Sequence, residues 1–355
     1  GKFPLRYNKI MKARLISFVI SEAVKGQRGK IEAAEQAAPA QSAPHYFETT
    51  VPRQFILSQE KISFRDRAGE STLKIYHPDV LLAETSFDLD DIFSGEIFAL
   101  KDDAVAYCRE VLKKNGGKDV EEFSEEYSVF VVYGYGGDPR QFFKHKERIA
   151  GLLKSERGDL DAGEIDYTFL SQIKYGKNDL VIVDWDGAFV FDPEGDFEPI
   201  IELFQLANMQ LLRYRVLDKQ LDERLRRVAK LIRQSSVKAR FLFRSSEITQ
   251  ALKDTMLTRA KSVYEFQALE REIKLIGDWY SARLYDLTAK KFKMEEWRRA
   301  VKDKLDAVES VYKIASENFT ISWERRGRIV ELFGWYVLLF GWLVLLGLEI
   351  YFFQK

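Results

Sequence analysis

Two aspartates one residue apart close an apolar run, Leu180-Val-Ile-Val-Asp-Trp-Asp-Gly-Ala-Phe-Val-Phe-Asp192. Paired carboxylates can hold a hard divalent cation such as Mg2+, and a carboxylate beside such an ion is sound nucleophilic chemistry for phosphoryl transfer. The same residues also have a structural reading. Asp-Gly between two apolar runs is a strong hairpin signal, because a type I′ turn needs positive φ at both central positions. On that reading Asp186-Gly187 makes a turn and neither carboxylate is catalytic. A second segment, Tyr133-Gly-Tyr-Gly-Gly-Asp-Pro139, lies between a strand-like run and a helix-like run, a place that can cradle phosphate. No Gly-Lys-Ser/Thr follows it and the dinucleotide glycine spacing is absent, so a turn with a helix cap is expected there.

Other chemistry is thin. Cys108 is the single cysteine, which excludes an intrachain disulfide. His45, His77 and His145 are scattered, without zinc-ligand spacing. There is no serine–histidine–acid or cysteine–histidine arrangement. Lysine plus arginine equals aspartate plus glutamate at 55 each, which argues against a broad nucleic-acid-binding surface. The expectation is a protein without catalytic residues, cofactor, metal or nucleic-acid partner.

The segment from Leu180 to Gly187 resembles the first motif of the haloacid-dehalogenase-like phosphatases, four apolar strand residues followed by Asp-x-Asp-Gly. That resemblance implies Asp184 as nucleophile and Asp186 as acid/base, both helping to bind Mg2+, and gives the alternative reading of a membrane-bound phosphatase. The family's later parts do not follow in recognisable form; long helical patterns come instead.

The elements that would position these residues read as follows. Residues 1–45 form a basic arm, with Lys2, Arg6, Lys9, Lys12 and Arg14 and a first strand after it, then an Ala/Pro/Gln-rich linker over 33–44. Residues 46–197 read as an α/β domain. Strand-like runs lie at 53–57, 61–65, 127–133, 166–173 and 180–185, and helices at 102–114 and around 139–154. Residues 198–328 read as a helical stalk. Leu211, Leu221, Leu225 and Val228 mark a seam on its first helix; Val301, Leu305, Val308 and Tyr312 mark one on its last. Between them, 237–243 breaks the pattern. The two seams could cover one another within one chain or pair with other copies.

Residues 329–353 have the length and apolarity of a membrane span. No charge falls between Glu331 and Glu349, and Trp335, Tyr336 and Tyr351 stand near the ends. Arg325, Arg326 and Arg328 precede the span, which places the bulk of the chain on the cytoplasmic or matrix side. Phe333–Leu339 and Phe340–Leu346 repeat one pattern, FGWYVLL and FGWLVLL, so Gly334, Gly341 and Leu348 share a face that would let a second helix approach. The soluble seam, continued, misses that face by about 100°, so a break or rotation is expected near Gly327. The fold class is α+β: an N-terminal α/β domain, then long antiparallel coiled-coil-like helices and one C-terminal transmembrane helix.

In this order the parts resemble the domain-of-unknown-function family that includes the fungal and mitochondrial "required for meiotic nuclear division" proteins. The resemblance is carried by the strand, glycine turn and helix of Ser128–Gln141 and by the strand pair around Ile182–Phe191. It continues in the helix start at Gln210–Asp218 and the Arg-rich approach Trp323–Glu331. It implies a non-enzymatic, oligomeric, membrane-anchored protein. The expected function is a tail-anchored scaffold whose partners are the lipid bilayer and either its own copies or a membrane protein complex. An accessory subunit of a respiratory or transport complex is the other alternative.

Overall fold

The computed structural model describes residues 11–24, 35–36, 54–76, 79–237, 257, 260, 263–264 and 279–353; side chains at 35–36, 228, 231–237, 311–312, 314–330, 350 and 352–353 lie outside the described set. The basic residues Lys2, Arg6 and Lys9, most of the 33–44 linker and the 238–243 interruption are also outside it. By internal contacts the chain divides into two units. One comprises residues 1–218 and 266–301, the other 219–265 and 302–355.

The first unit is built on a mixed nine-stranded sheet. In chain order its elements are β1 (Lys12–Glu22), β2 (Glu35–Gln36), β3 (Gln54–Phe64), β4 (Arg67–Tyr76), β5 (Val80–Leu89), α1 (Ile97–Lys114) and β6 (Ser124–Tyr133). A short 3-10 helix (Pro139–His145), α2 (Lys146–Lys154), α3 (Ala162–Leu170), β7 (Gln172–Ile173), β8 (Leu180–Val183) and β9 (Gly187–Asp192) follow. Then come α4 (Glu198–Val237), α5 (Trp279–Lys291) and α6 (Met294–Phe353). The strand order is β2-β3-β4-β5-β1-β6-β9-β8-β7. Neighbours are antiparallel except β6 and β9, which are parallel.

The strand expected after the basic arm is present, but it is not peripheral. β1 lies between β5 and β6, so the sheet domain starts well before the expected boundary at residue 46. The reason is its composition. Ile16, Phe18 and Ile20 feed the core on one face, Leu15 and Val19 those on the other, and a strand buried on both faces is central by necessity. The two runs expected at 53–57 and 61–65 are one strand, β3, with a bulge between Ile56 and Ser58. It returns through Arg65 and Asp66, both at positive φ (52° and 59°), the signature of a hairpin turn of the primed class. The strand expected over 166–173 is mostly helix. The Asp161 side chain accepts the Gly163 N–H and caps α3, leaving only Gln172–Ile173 extended.

Helices cover both faces. On one, Ile201, Phe204, Ala207, Leu211 and Leu212 of α4, with Leu284 and Tyr285 of α5, pack against Phe18, Tyr127, Val129 and Val190. On the other, Ile97 and Leu100 of α1, Ile149 and Leu153 of α2 and Phe169 of α3 meet Phe130, Ile182, Phe189 and Phe191. The first turns of α4 therefore belong to the sheet domain rather than to a stalk beginning at residue 198. An apolar sheet face left bare at β1 and β6 requires that cover.

In the second unit Leu221, Leu305 and Val308 are buried, and Lys304 Nζ lies 2.9 Å from Asp222 Oδ1. Residues of α4 and α6 thus meet within one chain. Of the break or rotation expected near Gly327, the break is absent: α6 runs unbroken from Met294 to Phe353. One glycine costs a helix about 1 kcal/mol, too little to interrupt so long a run.

Two buried groups in the sheet unit carry testable chemistry. Glu125, on β6, reaches Arg215 of α4, and burial raises its carboxyl to about 7, with Arg215 opposing. A carboxyl raised on folding stabilises the protein fully below its ordinary value near 4.5 and loses that contribution as pH rises through 7. Wild type should lose on the order of 3 kcal/mol more than Glu125→Gln between pH 4.5 and 8, read from denaturant midpoints across that range. The Cys108 thiol is fully buried and pushed up to about 12 by that burial, with Sγ 3.7 Å from the Ser17 carbonyl oxygen. It should stay unmodified by a thiol reagent at pH 8 in native protein and react stoichiometrically in denaturant.

Candidate functional site

The aspartate pair marks a polar centre of the sheet unit, where a buried carboxylate meets two lysines. β8 ends at Val183, and Asp184 follows, only 4% exposed. Its backbone N–H donates to the Gly187 carbonyl at 2.9 Å, and Val183 pairs with Ala188. β8 and β9 are therefore a hairpin, as the Asp-Gly signal indicates, but the turn is displaced. Trp185 and Asp186 are its central residues, and neither Asp186 nor Gly187 has positive φ. The glycine serves a different purpose. A Cβ at Gly187 would lie 2.5 Å from the Ser128 carbonyl oxygen, so only glycine lets β9 begin beside β6.

Every part of the Asp184 carboxylate is engaged. Oδ1 accepts the Trp185 N–H at 2.9 Å and lies 3.3 Å from Lys291 Nζ. Oδ2 lies 3.2 Å from Thr168 Oγ1 and 3.3 Å from Lys154 Nζ. The Tyr127 hydroxyl donates to the Asp184 carbonyl at 3.2 Å. Burial, then the charges of Asp184 and Asp186, push that phenol well above its ordinary range. Lys154 is the last residue of α2 and Lys291 the last of α5. A helix C-terminus carries partial negative charge, which favours a cation there before any carboxylate is met. The Tyr167 ring lies beneath both ammonium groups, 4.6 Å from Lys291 and 5.8 Å from Lys154.

Asp186 is differently placed. It is half-buried, its N–H donates to the Leu153 carbonyl and its own carbonyl accepts the Ser128 N–H. Lys101 of α1, buried and donating to Ser155 Oγ, is pulled down by burial, with Asp186 the largest opposing charge. The two aspartates thus face different cations, Asp184 those of Lys154 and Lys291 and Asp186 the charge of Lys101. The residues present do not fit a magnesium ion. Asp184 is ringed by ammonium groups, and no set of three or more histidine, cysteine or acidic side chains is placed to hold a metal among the described residues.

The glycine loop also resolves into a cap. Gly134 and Gly137 take positive φ, and Asp138 accepts the Arg140 N–H with Pro139 at the first helical position. Of the seam residues, Leu211, Leu221, Val301, Leu305 and Val308 are buried and Leu225 is half-buried. Leu211 is spent on the sheet core. The side chains of Val228 and Tyr312 lie outside the described residues. Gly334 and Gly341 are in α6 with nothing near the position of an added Cβ, and Leu348 is half exposed. From Glu331 to Glu349 the helix is a 19-residue stretch of mean hydropathy 1.8 with none of it buried. The two lysines at Asp184 went unread in the sequence. Their only local signal is a lysine closing an amphipathic helix, which surface helices show equally.

Residues 19–198 match the family described as "Uncharacterized protein MJ0711, N-terminal domain". The chain is also similar to the uncharacterized protein MJ0711 of Methanocaldococcus jannaschii, 27% identical over 256 residues, covering 72% of this chain and 76% of that protein. No solved structure matches it. The chain belongs to the MJ0711 N-terminal-domain family.

Asp184→Asn removes the charge shared by two lysines that are 21% and 11% exposed. Breaking a buried ion pair from one side costs about 3–5 kcal/mol. That loss should appear in denaturant unfolding, while Asp186→Asn, which removes one charge facing the buried Lys101, should cost less than Asp184→Asn.

Proposed function

For this member of the MJ0711 N-terminal-domain family, we propose a non-enzymatic, single-span membrane scaffold that self-associates or docks a larger complex at the inner face of a membrane. The observation that carries it is the stretch from Glu331 to Glu349, apolar, helical and without a buried residue. An uncovered apolar surface of that length is stable when lipid covers it. The Arg-rich approach to the span supports the inward orientation of the rest of the chain. The helices of α4 and α6 serve as the stalk, and the glycine face of the span as the assembly contact. The order of elements supports kinship with the "required for meiotic nuclear division" proteins. An accessory role in a respiratory or transport complex is the form this scaffold takes if its partner is another membrane assembly.

The occupied carboxylate of Asp184 supports a structural role and weighs against the phosphatase alternative. A nucleophile needs a free lone pair facing substrate, whereas both oxygens here are held by cations and donors.

The full chain, expressed in cells, should remain in the membrane fraction through an alkaline carbonate wash and leave detergent extraction as an oligomer or complex. Gly334→Leu combined with Gly341→Leu should reduce it to a smaller species by native mass. A carbonate-soluble chain, or a partnerless monomer in detergent, would overturn the proposal. A magnesium-dependent phosphatase activity lost in a folded Asp184→Asn variant would replace it with the alternative.

A further inference from the structure

The apolar stretch of α6 is bounded more tightly than its length suggests. Glu331 and Glu349 close it at either end, and no charge lies between them. At about 1.5 Å per residue the uncharged part rises about 25 Å. An average hydrocarbon core is about 30 Å thick. Sliding the helix along the bilayer normal rescues one carboxylate only by drawing the other inward, where a charge is costly.

Tilting does not help either. At 3.6 residues per turn, about 18 residues make about five full turns, so Glu331 and Glu349 share one face. A tilt that turns this face toward one surface aims the carboxylate at that end into water and the other into hydrocarbon. The aromatic residues near the two ends agree with the short register. Trp335 and Tyr336 stand about one turn inside Glu331, and Tyr351 just beyond Glu349, each well exposed. Trp and Tyr side chains favour the headgroup level.

We propose that this helix is matched to a thin bilayer, one with a hydrocarbon core of about 25 Å made by short acyl chains, rather than to a thick, sterol-rich membrane. This rests on the single-span reading above. A short uncharged run thins its surroundings or is left out of thick ones, and membranes of different thickness sort proteins on that basis.

The full chain, purified in detergent, is reconstituted into vesicles of dimyristoleoyl, dioleoyl or dierucoyl phosphatidylcholine, floated on a density gradient and washed with carbonate. Carbonate-resistant wild type should be at least about threefold more abundant in the dimyristoleoyl than in the dierucoyl vesicles. Glu349→Leu extends the uncharged run toward Phe353 and should move the optimum to dioleoyl vesicles. Equal insertion at all thicknesses, best insertion in dierucoyl vesicles, or an optimum unmoved by Glu349→Leu would overturn the proposal. A chain that enters vesicles of no thickness would overturn the single-span reading, and this inference with it.

Discussion

The carboxylate of Asp184 is the joint on which the sheet unit closes. It stands at the end of β8, and three helices reach it, α2 through Lys154, α3 through Thr168 and α5 through Lys291. The energetics explain why it is so fully dressed. A lone charge at 4% exposure would cost several kcal/mol. Two ammonium groups and two donors offset that, and the lysines arrive at helix C-termini where their charge is already favoured. The cluster is therefore less a source of net stability than a specification. It ties the ends of α2 and α5 to the β8–β9 hairpin, because displacing either leaves a buried charge short of a partner.

The same logic of cover governs the sheet. β1 and β6 are apolar on both faces, so helices must be supplied above and below. α4 and α5 cover one face; α1, α2 and α3 cover the other. Two polar groups inside the sheet are matched across neighbouring strands, Ser17 Oγ to Ser128 Oγ at 2.8 Å and Thr85 Oγ1 to the Ser17 carbonyl at 3.2 Å, while the buried Ser21 Oγ of β1 is left without a hydrogen bond among the described residues. A long helix that begins as sheet cover cannot be assigned to a stalk by its periodicity. The seam spacing is the same whether the partner is a sheet or another helix.

The far part of α6 is governed by the opposite condition. Its residues from Glu331 to Glu349 have no cover among the described residues. Burial arguments that account for the apolar faces of the sheet unit leave this surface uncovered among the described residues. That is why the proposed function rests on this helix and not on the aspartate cluster, whose groups satisfy one another.

Several features were legible in the residues alone. The apolar helix follows from length and composition, the β8–β9 hairpin from Asp-Gly between apolar runs, and the capped turn after β6 from Gly-Gly-Asp-Pro. These are local, and local chemistry suffices for them. Other features depended on partners distant in sequence. The strand expected over 166–173 became α3 because Asp161 caps it, a competition that apolar content does not reveal. The central place of β1 is set by β5 and β6 on either side, about 70 and 110 residues further along the chain. The role of Asp184 is the clearest case. The sequence by itself determined an aspartate at the end of a strand beside a turn. Whether its neighbours would be acids that bind a metal or lysines that neutralise it was decided by which helix ends the tertiary fold brings to that point. Charge pairing across more than a hundred residues leaves no periodic trace in the chain.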